Sequence, residues 1–270
     1  MLAADRGPDD AVARFTGASC KALAPVGGVA MLDRVLDALQ QSAHVNTVYL
    51  VGPPQHIMAA ERERAQRFEQ AGYRWLDSAD SPSASATRGL ERIPARRPVL
   101  LTTADHALLE ARIVTDFLDA ALAQDVDFVI GLVRLPDVLA RFPGMRRTAT
   151  RLADGPFCGC NLFAFTTDEG RQLANFWRRV EHERKKPWRV VAGALGWGAV
   201  VRYLLGRLTL PQALERLSRR LGVRVGAVIL DHPQAAVDVD TPEDWRFVEA
   251  VLGAQPAEHD AARGEGAATS

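Results

Sequence analysis

Two acidic strand ends are the features of this chain best suited to chemistry. Asp105 closes the apolar run of residues 99–105, VLLTTAD, and a second run in residues 235–245, AAVDVDTPEDW, ends in Asp238 and Asp240. In an open α/β sheet, ligands bind outside the carboxyl ends of the strands. Carboxylates there suit a divalent cation that bridges phosphates, whereas a single strand-end aspartate can also merely cap the next helix. The pair therefore favours a metal-assisted phosphate site.

Only one of the two later aspartates is expected to share a cation with Asp105. We expect Asp238 and Asp240 to point to opposite faces, and we choose Asp240 as the ligand because it lies nearer the start of the next helix. Two carboxylates close to each other repel when no cation is present. Replacing Asp105 by asparagine is therefore expected to abolish activity with little loss of fold stability.

The elements that must position these residues follow from alternating strand and helix patterns. Residues 45–53 read as a buried strand, residues 55–71 as a charged helix, and a Ser-rich loop enters a short helix near Thr87. A helix over about residues 110–123 and a strand over residues 127–133 follow. This alternation predicts an α/β fold with a mostly parallel sheet and helices on both faces.

The C-terminal half has a different composition. Residues 168–222 are predicted to be a helical elaboration, preceded by a strand that is interrupted at Gly159 and by an irregular stretch up to about residue 155. Within the elaboration, residues 188–210 combine tryptophan and tyrosine with a basic cluster but hold no uncharged run long enough to span a bilayer. They are expected to pack as helices on the sheet edge, or to make a peripheral membrane contact.

Composition sets further limits. The chain has 270 residues, 47% of them hydrophobic, which suits a single domain over residues 1–252 followed by a disordered tail over residues 253–270. Its formal net charge is zero, so no overall field attracts nucleic acid. Three cysteines and no signal peptide favour a cytoplasmic protein, and Cys158 and Cys160 lack the further ligands of a zinc site.

Four segments, taken in order, resemble the MobA-like nucleotidyltransferases over about residues 1–252. They are CKALAPVGGVAMLDRVLDAL, which contains Lys21, the serine-rich SPSASATRGL, then LLTTADHALL and AAVDVDTPEDW. The resemblance implies a GT-A-type, Rossmann-like fold. It also implies transfer of NMP from an NTP to a phosphorylated acceptor, with release of pyrophosphate.

The resemblance assigns roles to individual residues. Lys21 and Asp105 would be catalytic, with Lys21 on phosphate and Mg²⁺ held by Asp105 and by Asp240 or Asp238. Asn161 would lie near the acceptor pocket, and Cys158 and Cys160 are expected on the rim of the same cleft. The nucleotide would be bound by the start of the chain, by Lys21 and by the serine-rich loop, through Leu2, Ala3, Ala4, Arg6, Ser83 and Ser85.

One segment departs from the family. Its members open with a strand and then LAGGxSxRM, whereas this chain reads LAADRGPDD, so Ala3 and Ala4 stand where glycines let the backbone approach phosphate. Residues 5–19 read as a polar loop, in which Arg6 and Arg14 are both candidates for the loop arginine.

The leading hypothesis is a Mg²⁺-dependent nucleotidyltransferase acting on a small or lipid-linked phosphorylated acceptor. An acceptor phosphate is already ionised at neutral pH, so the reaction needs alignment and positive charge rather than a Ser-His-Asp triad. One alternative is a GT-A glycosyltransferase that uses a nucleotide sugar. The other is a non-catalytic nucleotide-binding or regulatory protein with a degenerate phosphate loop.

Overall fold

The computed structural model describes residues 1–3, 10–174, 176–177 and 196–254. The strands within these ranges are β1 (Pro25–Val26), β2 (Val29–Ala30), β3 (Tyr49–Val51), β4 (Arg74–Leu76), β5 (Val99–Leu101), β6 (Phe128–Arg134), β7 (Thr150–Leu152), β8 (Gly155–Phe165) and β9 (Val225–Ile229). The helices are α1 (Ala11–Thr16), α2 (Met31–Gln41), α3 (Gln55–Ala60), α4 (Arg62–Gln70), α5 (Pro82–Arg92), α6 (Ala111–Leu122), α7 (Leu135–Arg141), α8 (Asp168–Arg171), α9 (Trp197–Leu204), α10 (Leu210–Leu221) and α11 (Pro242–Gly253). Two short 3₁₀ turns, Lys21–Leu23 and Pro233–Ala236, complete the described structure.

The central sheet is mostly parallel, as the strand and helix pattern predicts. β3 pairs with β4 and β6 pairs with β9, both in parallel. The exception is β8, which lies antiparallel between β5 and β6 and also pairs with β7. The parallel strands therefore run in one direction and present their carboxyl ends at the same edge, which is where ligands bind in such sheets.

Residues 1–3 join the two parts of this sheet. Leu2 forms parallel bridges to Val51 on one side and to Thr103 on the other. The Leu2 N–H donates to the Thr102 carbonyl and the Leu2 carbonyl accepts from the Ala104 N–H, each at 2.8 Å. The segment that leads to Asp105 is thus held in register with the start of the chain.

The core forms because the helices bury apolar residues at helical spacing. α2 buries Met31, Val35 and Leu39 along one stripe, and α6 buries Ile113 and Phe117 in the same cluster. A second cluster lies around α5 and the inner strands. Apolar residues three or four positions apart form one stripe along a helix, and this stripe packs against the sheet.

Several predicted boundaries are wrong, each for a local reason. Residues 5–19 are not wholly a loop, because Asp10 accepts hydrogen bonds from the N–H groups of Val12 and Ala13 and so starts α1. The irregular stretch before residue 155 contains α7 and β7. β8 runs through Gly159 as one strand, but its pairing with β6 shifts register there: between Ile130 and Leu132, the single residue 131 of β6 stands opposite residues 160–162, so the bulge lies on β8.

Other predictions fall partly or wholly outside the described residues. The helix expected over residues 168–184 begins as α8, but residues 178–195 are not described. α11 extends to Gly253, so this residue belongs to a helix and not to the predicted tail, and residues 255–270 are not described. In the described part of the chain, no helix has the length and apolar character needed to cross a membrane.

Asp127 ties the amino-terminal end of β6 to the neighbouring strand. Its carboxylate accepts hydrogen bonds from the Arg224 backbone N–H at 2.8 Å and from the Arg224 guanidinium at 3.0 and 3.2 Å. Thr167 also donates to it, at 3.2 Å. The hydrogen bonds from Arg224 hold the pKa of Asp127 below its ordinary value, although burial opposes this.

Asp127→Asn is expected to lower the free energy of unfolding by about 1–2 kcal/mol at neutral pH. Hydrogen bonds to a charged group contribute about 1.5–3 kcal/mol, and solvent around the half-exposed Arg224 screens part of that. Because the folded pKa is depressed, the contribution is present above about pH 4, the pKa of an unperturbed aspartate, and is lost as pH falls through the folded value. Urea unfolding between pH 7 and pH 3 measures it.

The neighbouring Asp125 provides the matched control. It also pairs with Arg224, at 2.6 Å, but its side chain is 95% exposed. Asp125→Asn is expected to change the free energy of unfolding by less than about 0.5 kcal/mol. Equal losses in the two variants would show that the pairing at Asp127 contributes nothing specific.

Candidate active site

Lys21 is buried at the start of the site. It begins the 3₁₀ turn Lys21–Leu23, in which the Ala24 N–H donates to the Lys21 carbonyl at 3.1 Å. The whole residue is only 4% exposed. A buried ammonium requires charged partners, because removing a lone charge from water costs a large amount of free energy.

Asp105 and Asp240 supply those partners. The Lys21 Nζ donates to Asp105 Oδ2 at 2.8 Å and to Asp240 Oδ1 at 2.6 Å. Burial lowers the pKa of Lys21, but the two carboxylates more than offset it, and the net shift is upward. The ammonium is therefore charged at neutral pH, and the structure brings together three predicted residues that are far apart in sequence.

The Lys21 ammonium changes one expectation about the two carboxylates. Bare carboxylates at this separation would repel, but here a cation of the chain itself lies between them. The prediction that Asp105→Asn leaves stability nearly unchanged is therefore not what this geometry favours, because the variant would leave a buried ammonium with one carboxylate fewer.

Neither aspartate serves as a helix cap. The residue before α6 is Glu110, several positions after Asp105, and the N-cap of α11 is Thr241, which forms a capping box with Asp244. Thr103 instead donates to Asp105 Oδ1 at 2.6 Å and fixes that carboxylate. Capping thus does not account for Asp105 or Asp240.

The β1–β2 hairpin helps to bring Lys21 to the later aspartate. Gly27 and Gly28 form its turn with φ values of 56° and 75°, a left-handed conformation that glycine adopts without strain. Trp245 of α11 donates to the Pro25 carbonyl at 2.7 Å, and Glu249 accepts from the Gly27 N–H at 2.7 Å. Two hydrogen bonds therefore hold the hairpin that follows Lys21 against the helix that follows Asp240.

Asp238 and Asp240 contact different residues: Asp238 contacts Asn161 and Arg147, and Asp240 contacts Lys21. In a regular strand, residues two apart would lie on the same face. Residues 237–240 are not a strand in the structure, so the prediction of opposite faces from strand alternation does not apply to these two side chains. The Val239 N–H between them donates to the Asp105 carbonyl at 3.0 Å, which holds the segment against the end of the Asp105 strand.

Asp238 organises a second group of polar side chains. Its Oδ2 accepts from Asn161 Nδ2 at 3.1 Å, and its Oδ1 pairs with Arg147 Nη1 at 2.5 Å. The Arg147 side chain is 14% exposed, and its Nε is buried without a hydrogen-bond partner in the described part of the chain. Sequence reasoning missed Arg147, because it stands in an irregular stretch with neither periodicity nor motif.

Asn161 lies on β8 with φ at 52°, in the left-handed region. For most L-residues this conformation costs about 1–2 kcal/mol, and asparagine tolerates it better than most. Its contact with Asp238 therefore depends on a backbone conformation that few residue types adopt.

Asn161→Ala is expected to lower the free energy of unfolding by about 2 kcal/mol, from backbone strain together with the lost hydrogen bond. Asn161→Gly also loses the hydrogen bond, but glycine adopts a positive φ without strain. The expected loss in the free energy of unfolding is therefore about 1 kcal/mol. Chemical denaturation of both variants, with the exposed Asn46→Ala as a control, gives the comparison. Equal losses in the alanine and glycine variants would contradict the role of the left-handed conformation.

Several other predicted residues are not exposed in the cleft. Ser83 and Ser85 lie in α5, which starts at the Ser81 cap and Pro82, and both are fully buried. The Ser85 hydroxyl accepts from the Ala79 N–H at 2.9 Å, so it shapes the turn before the helix. The structure thus places these serines behind the loop surface rather than on it.

The two cysteines are not on a cleft rim. Cys158 and Cys160 are each 1% exposed and belong to the core, which contradicts the rim position and agrees with a packing role. Burial raises the pKa of the Cys158 thiol, with Arg147 opposing the shift.

His106, beside Asp105, is buried too, and burial lowers its pKa despite the opposing charges of Asp105 and Asp238.

The start of the chain is described only in part. Leu2 and Ala3 are buried, and their backbones bond to the strands on either side rather than facing solvent. Ala4 and Arg6 lie outside the described residues. Arg14, the other candidate for the loop arginine, lies exposed on α1.

The donor set at Lys21 fits a small divalent cation. Asp105 and Asp240 both bond to one ammonium, so their carboxylates lie within reach of a single positive charge. Carboxylate oxygens are the ligands that Mg²⁺ prefers, and one or two of them together with substrate phosphates make a usual Mg²⁺ site. No group of three or more His, Cys, Asp or Glu side chains suited to a metal occurs in the described residues.

Comparison with known proteins finds similarity to transferases, both with a family model and with a solved structure. Residues 1–135 match the family model of the MobA-like NTP transferase domain. A hypothetical transferase of Thermus thermophilus is similar over 90% of this chain and 98% of its own, with 30% identity and a TM-score of 0.73. The comparison with curated proteins gives no match.

Two further solved structures share the fold. The 4-diphosphocytidyl-2C-methyl-D-erythritol synthase of Anaerococcus prevotii matches over 93% of this chain and 96% of its own, at 14% identity and a TM-score of 0.54. A CMP:2-keto-3-deoxy-manno-octonic acid synthetase, solved in complex with CTP, matches over 86% of this chain and 91% of its own, at 14% identity and a TM-score of 0.50. At such low identity, these two similarities establish the architecture alone.

Proposed function

The chain belongs to the MobA-like NTP transferase family of nucleotidyltransferases, and we propose that it is a Mg²⁺-dependent member that transfers NMP to a phosphorylated acceptor. The observation that carries the proposal is the Lys21 ammonium held between Asp105 and Asp240 at the carboxyl edge of the sheet. Phosphoryl chemistry needs positive charge and a cation site in one place, and these three side chains offer both.

The proposed reaction needs no deprotonated side chain as nucleophile. An oxygen of the acceptor phosphate attacks the α-phosphorus of the NTP, a new P–O bond forms, and the bond to the β-phosphate oxygen breaks. Pyrophosphate leaves with the electron pair of that bond. Asp105 and Asp240 would hold Mg²⁺, which supplies Lewis-acid charge to the phosphate oxygens, while Lys21 neutralises phosphate as a point charge.

The Asn161–Asp238–Arg147 group is proposed as the acceptor side. The resemblance of the chain to the family implies that Asn161 lies near the acceptor pocket. Asp238 contacts both Asn161 and Arg147 and so holds them together. A guanidinium suits the phosphate of an acceptor, because its planar array of N–H donors binds two oxygens at once. Arg147 would therefore bind acceptor, and Asp238 would act as a positioning residue.

CTP is the first nucleotide to test. One structural neighbour was solved with CTP and the other is named for a diphosphocytidyl product, although both are distant relatives. The compartment is proposed to be the cytoplasm, since the buried Cys158 and Cys160 are free thiols, which suits reducing conditions.

A two-stage experiment tests the proposal. Thermal unfolding is first measured with CTP, GTP, ATP and UTP, and with the corresponding nucleotide sugars, each with and without Mg²⁺. A nucleotide at a hundredfold excess over its Kd should stabilise the native state by about 2.7 kcal/mol. Pyrophosphate release is then measured with the stabilising nucleotide and a panel of sugar, polyol and lipid-linked phosphates.

The outcomes separate the competing functions. Pyrophosphate release that depends on both acceptor and Mg²⁺ supports the transferase. Nucleotide binding without release across the panel would favour a non-catalytic nucleotide-binding protein. Stabilisation by nucleotide sugars but not by free NTPs would favour a glycosyltransferase and overturn the proposal.

A further inference from the structure

Helix α9 carries a contiguous apolar surface that the proposed reaction does not use. Val201, Leu204 and Leu205 are 52%, 77% and 62% exposed, and we call these three residues the apolar tip. Leu204 is the most exposed large apolar residue in the described part of the chain. Single exposed leucines are ordinary on protein surfaces, but a contiguous group marks a contact site.

The geometry of α9 separates a buried face from an exposed one. Val201, Leu204 and Leu205 follow the i, i+3, i+4 spacing that places residues on one helical face, whereas Ala199 is fully buried. The helix is followed by an anchored segment, in which Leu208 is 1% exposed and its carbonyl accepts from the Ala153 N–H at 2.8 Å. The chain is therefore held in place directly after the apolar tip.

The surroundings of the apolar tip are strongly basic. Residues 196–222 contain five arginines and one glutamate, in a chain whose formal net charge is zero. Arg202 and Arg207 flank the tip and are exposed. The others lie on α10, where Arg219 pairs with the one glutamate, Glu215, at 3.1 Å. Exposed apolar side chains flanked by Arg202 and Arg207 are complementary to a surface that is apolar inside and anionic outside.

We propose that the apolar tip and its arginines bind the surface of an anionic lipid bilayer. Leucine side chains would enter the boundary between headgroups and acyl chains, and the arginines would contact lipid phosphates. A second copy of this chain is a poorer occupant, because a symmetric contact would place two equally basic surfaces against each other. The proposal does not rest on the proposed reaction.

Vesicle co-sedimentation with the full chain tests the proposal. Vesicles of phosphatidylcholine alone are compared with vesicles containing 30% phosphatidylglycerol, a composition chosen at roughly the level at which anionic lipid attracts basic segments. The chain is expected to sediment with the anionic vesicles, and less at high salt. The double variant Leu204→Ser/Leu205→Ser should bind at least about tenfold more weakly, since two leucines no longer enter the bilayer.

Matched controls keep the result interpretable. Leu122→Ser/Leu139→Ser replaces two leucines that are 43% and 41% exposed elsewhere, and it should leave vesicle binding unchanged. Circular dichroism and the unfolding temperature establish that both double variants fold. Absence of sedimentation with anionic vesicles, or equal loss in both variants, would overturn the proposal. So would a dimer in solution that the Leu204→Ser/Leu205→Ser change dissociates, because the apolar tip would then serve a second copy.

Discussion

Asp105→Asn is expected to reduce turnover by about 10³-fold or more, because it removes one of the two carboxylates proposed to hold Mg²⁺ at the reacting phosphates. The same change should abolish the Mg²⁺-dependent part of the thermal stabilisation by nucleotide. This second measurement requires no acceptor, so it can be made before the acceptor is identified.

The effect of Asp105→Asn on stability distinguishes the structure from the sequence-based expectation. Lys21 would keep Asp240, which is 44% exposed, but would lose the more buried of its two carboxylates. We expect a loss of about 1.5–3 kcal/mol in the free energy of unfolding, the usual range for a hydrogen bond to a charged group. Asp125→Asn is the control, with neither activity nor stability changed. A variant with full turnover would contradict the proposed metal site.

Lys21→Met is expected to lower turnover by about 10²–10³-fold while strengthening the binding of a divalent cation to the protein without nucleotide. Turnover falls because the positive charge on the phosphates is lost. Cation binding strengthens because the ammonium that now lies between Asp105 and Asp240 no longer competes for the same oxygens. The two effects have opposite signs, which a merely misfolded variant would not show.

Titration with Mn²⁺, followed by electron paramagnetic resonance, measures the second effect. Urea unfolding with and without Mg²⁺ provides an independent measure, because methionine leaves the two carboxylates facing each other without a cation. The variant should therefore be destabilised without Mg²⁺ and recover when Mg²⁺ is added. Lys21→Arg serves as the control that keeps the charge. Unchanged Mn²⁺ affinity in Lys21→Met would show that the ammonium does not occupy the position of the cation.

The sequence predicts the fold class and the main residues of the site because both depend on patterns that are local in the chain. Apolar runs that end in Asp105 and in Asp240 are visible in the sequence, and the alternation of strand and helix patterns predicts strands that run in parallel. The direct pairing of Lys21 with both aspartates is not visible. It depends on the hairpin fastened to α11, a contact between residues far apart in sequence.

Arg147 and the buried serines show where sequence reasoning fails. Arg147 reaches Asp238 from an irregular stretch, and nothing in its local sequence indicates that distant partner. Ser83 and Ser85 look like a polar loop, but Ser81 and Pro82 start a helix there and turn both hydroxyls inward. A serine-rich segment permits either outcome, because serine caps helices as readily as it occupies loops.

The left-handed Asn161 limits which residue types the proposed acceptor side could carry at this position. Asn161 lies in the bulge of β8, between Phe163 and Gly159, which both pair with β6, so a residue type that resists a positive φ at position 161 would disturb this pairing. Glycine, asparagine and aspartate are the residues that adopt this conformation at low cost. If the proposed acceptor side is correct, variation in acceptor preference is therefore more accessible through Arg147, whose loop lies outside the sheet, than through Asn161.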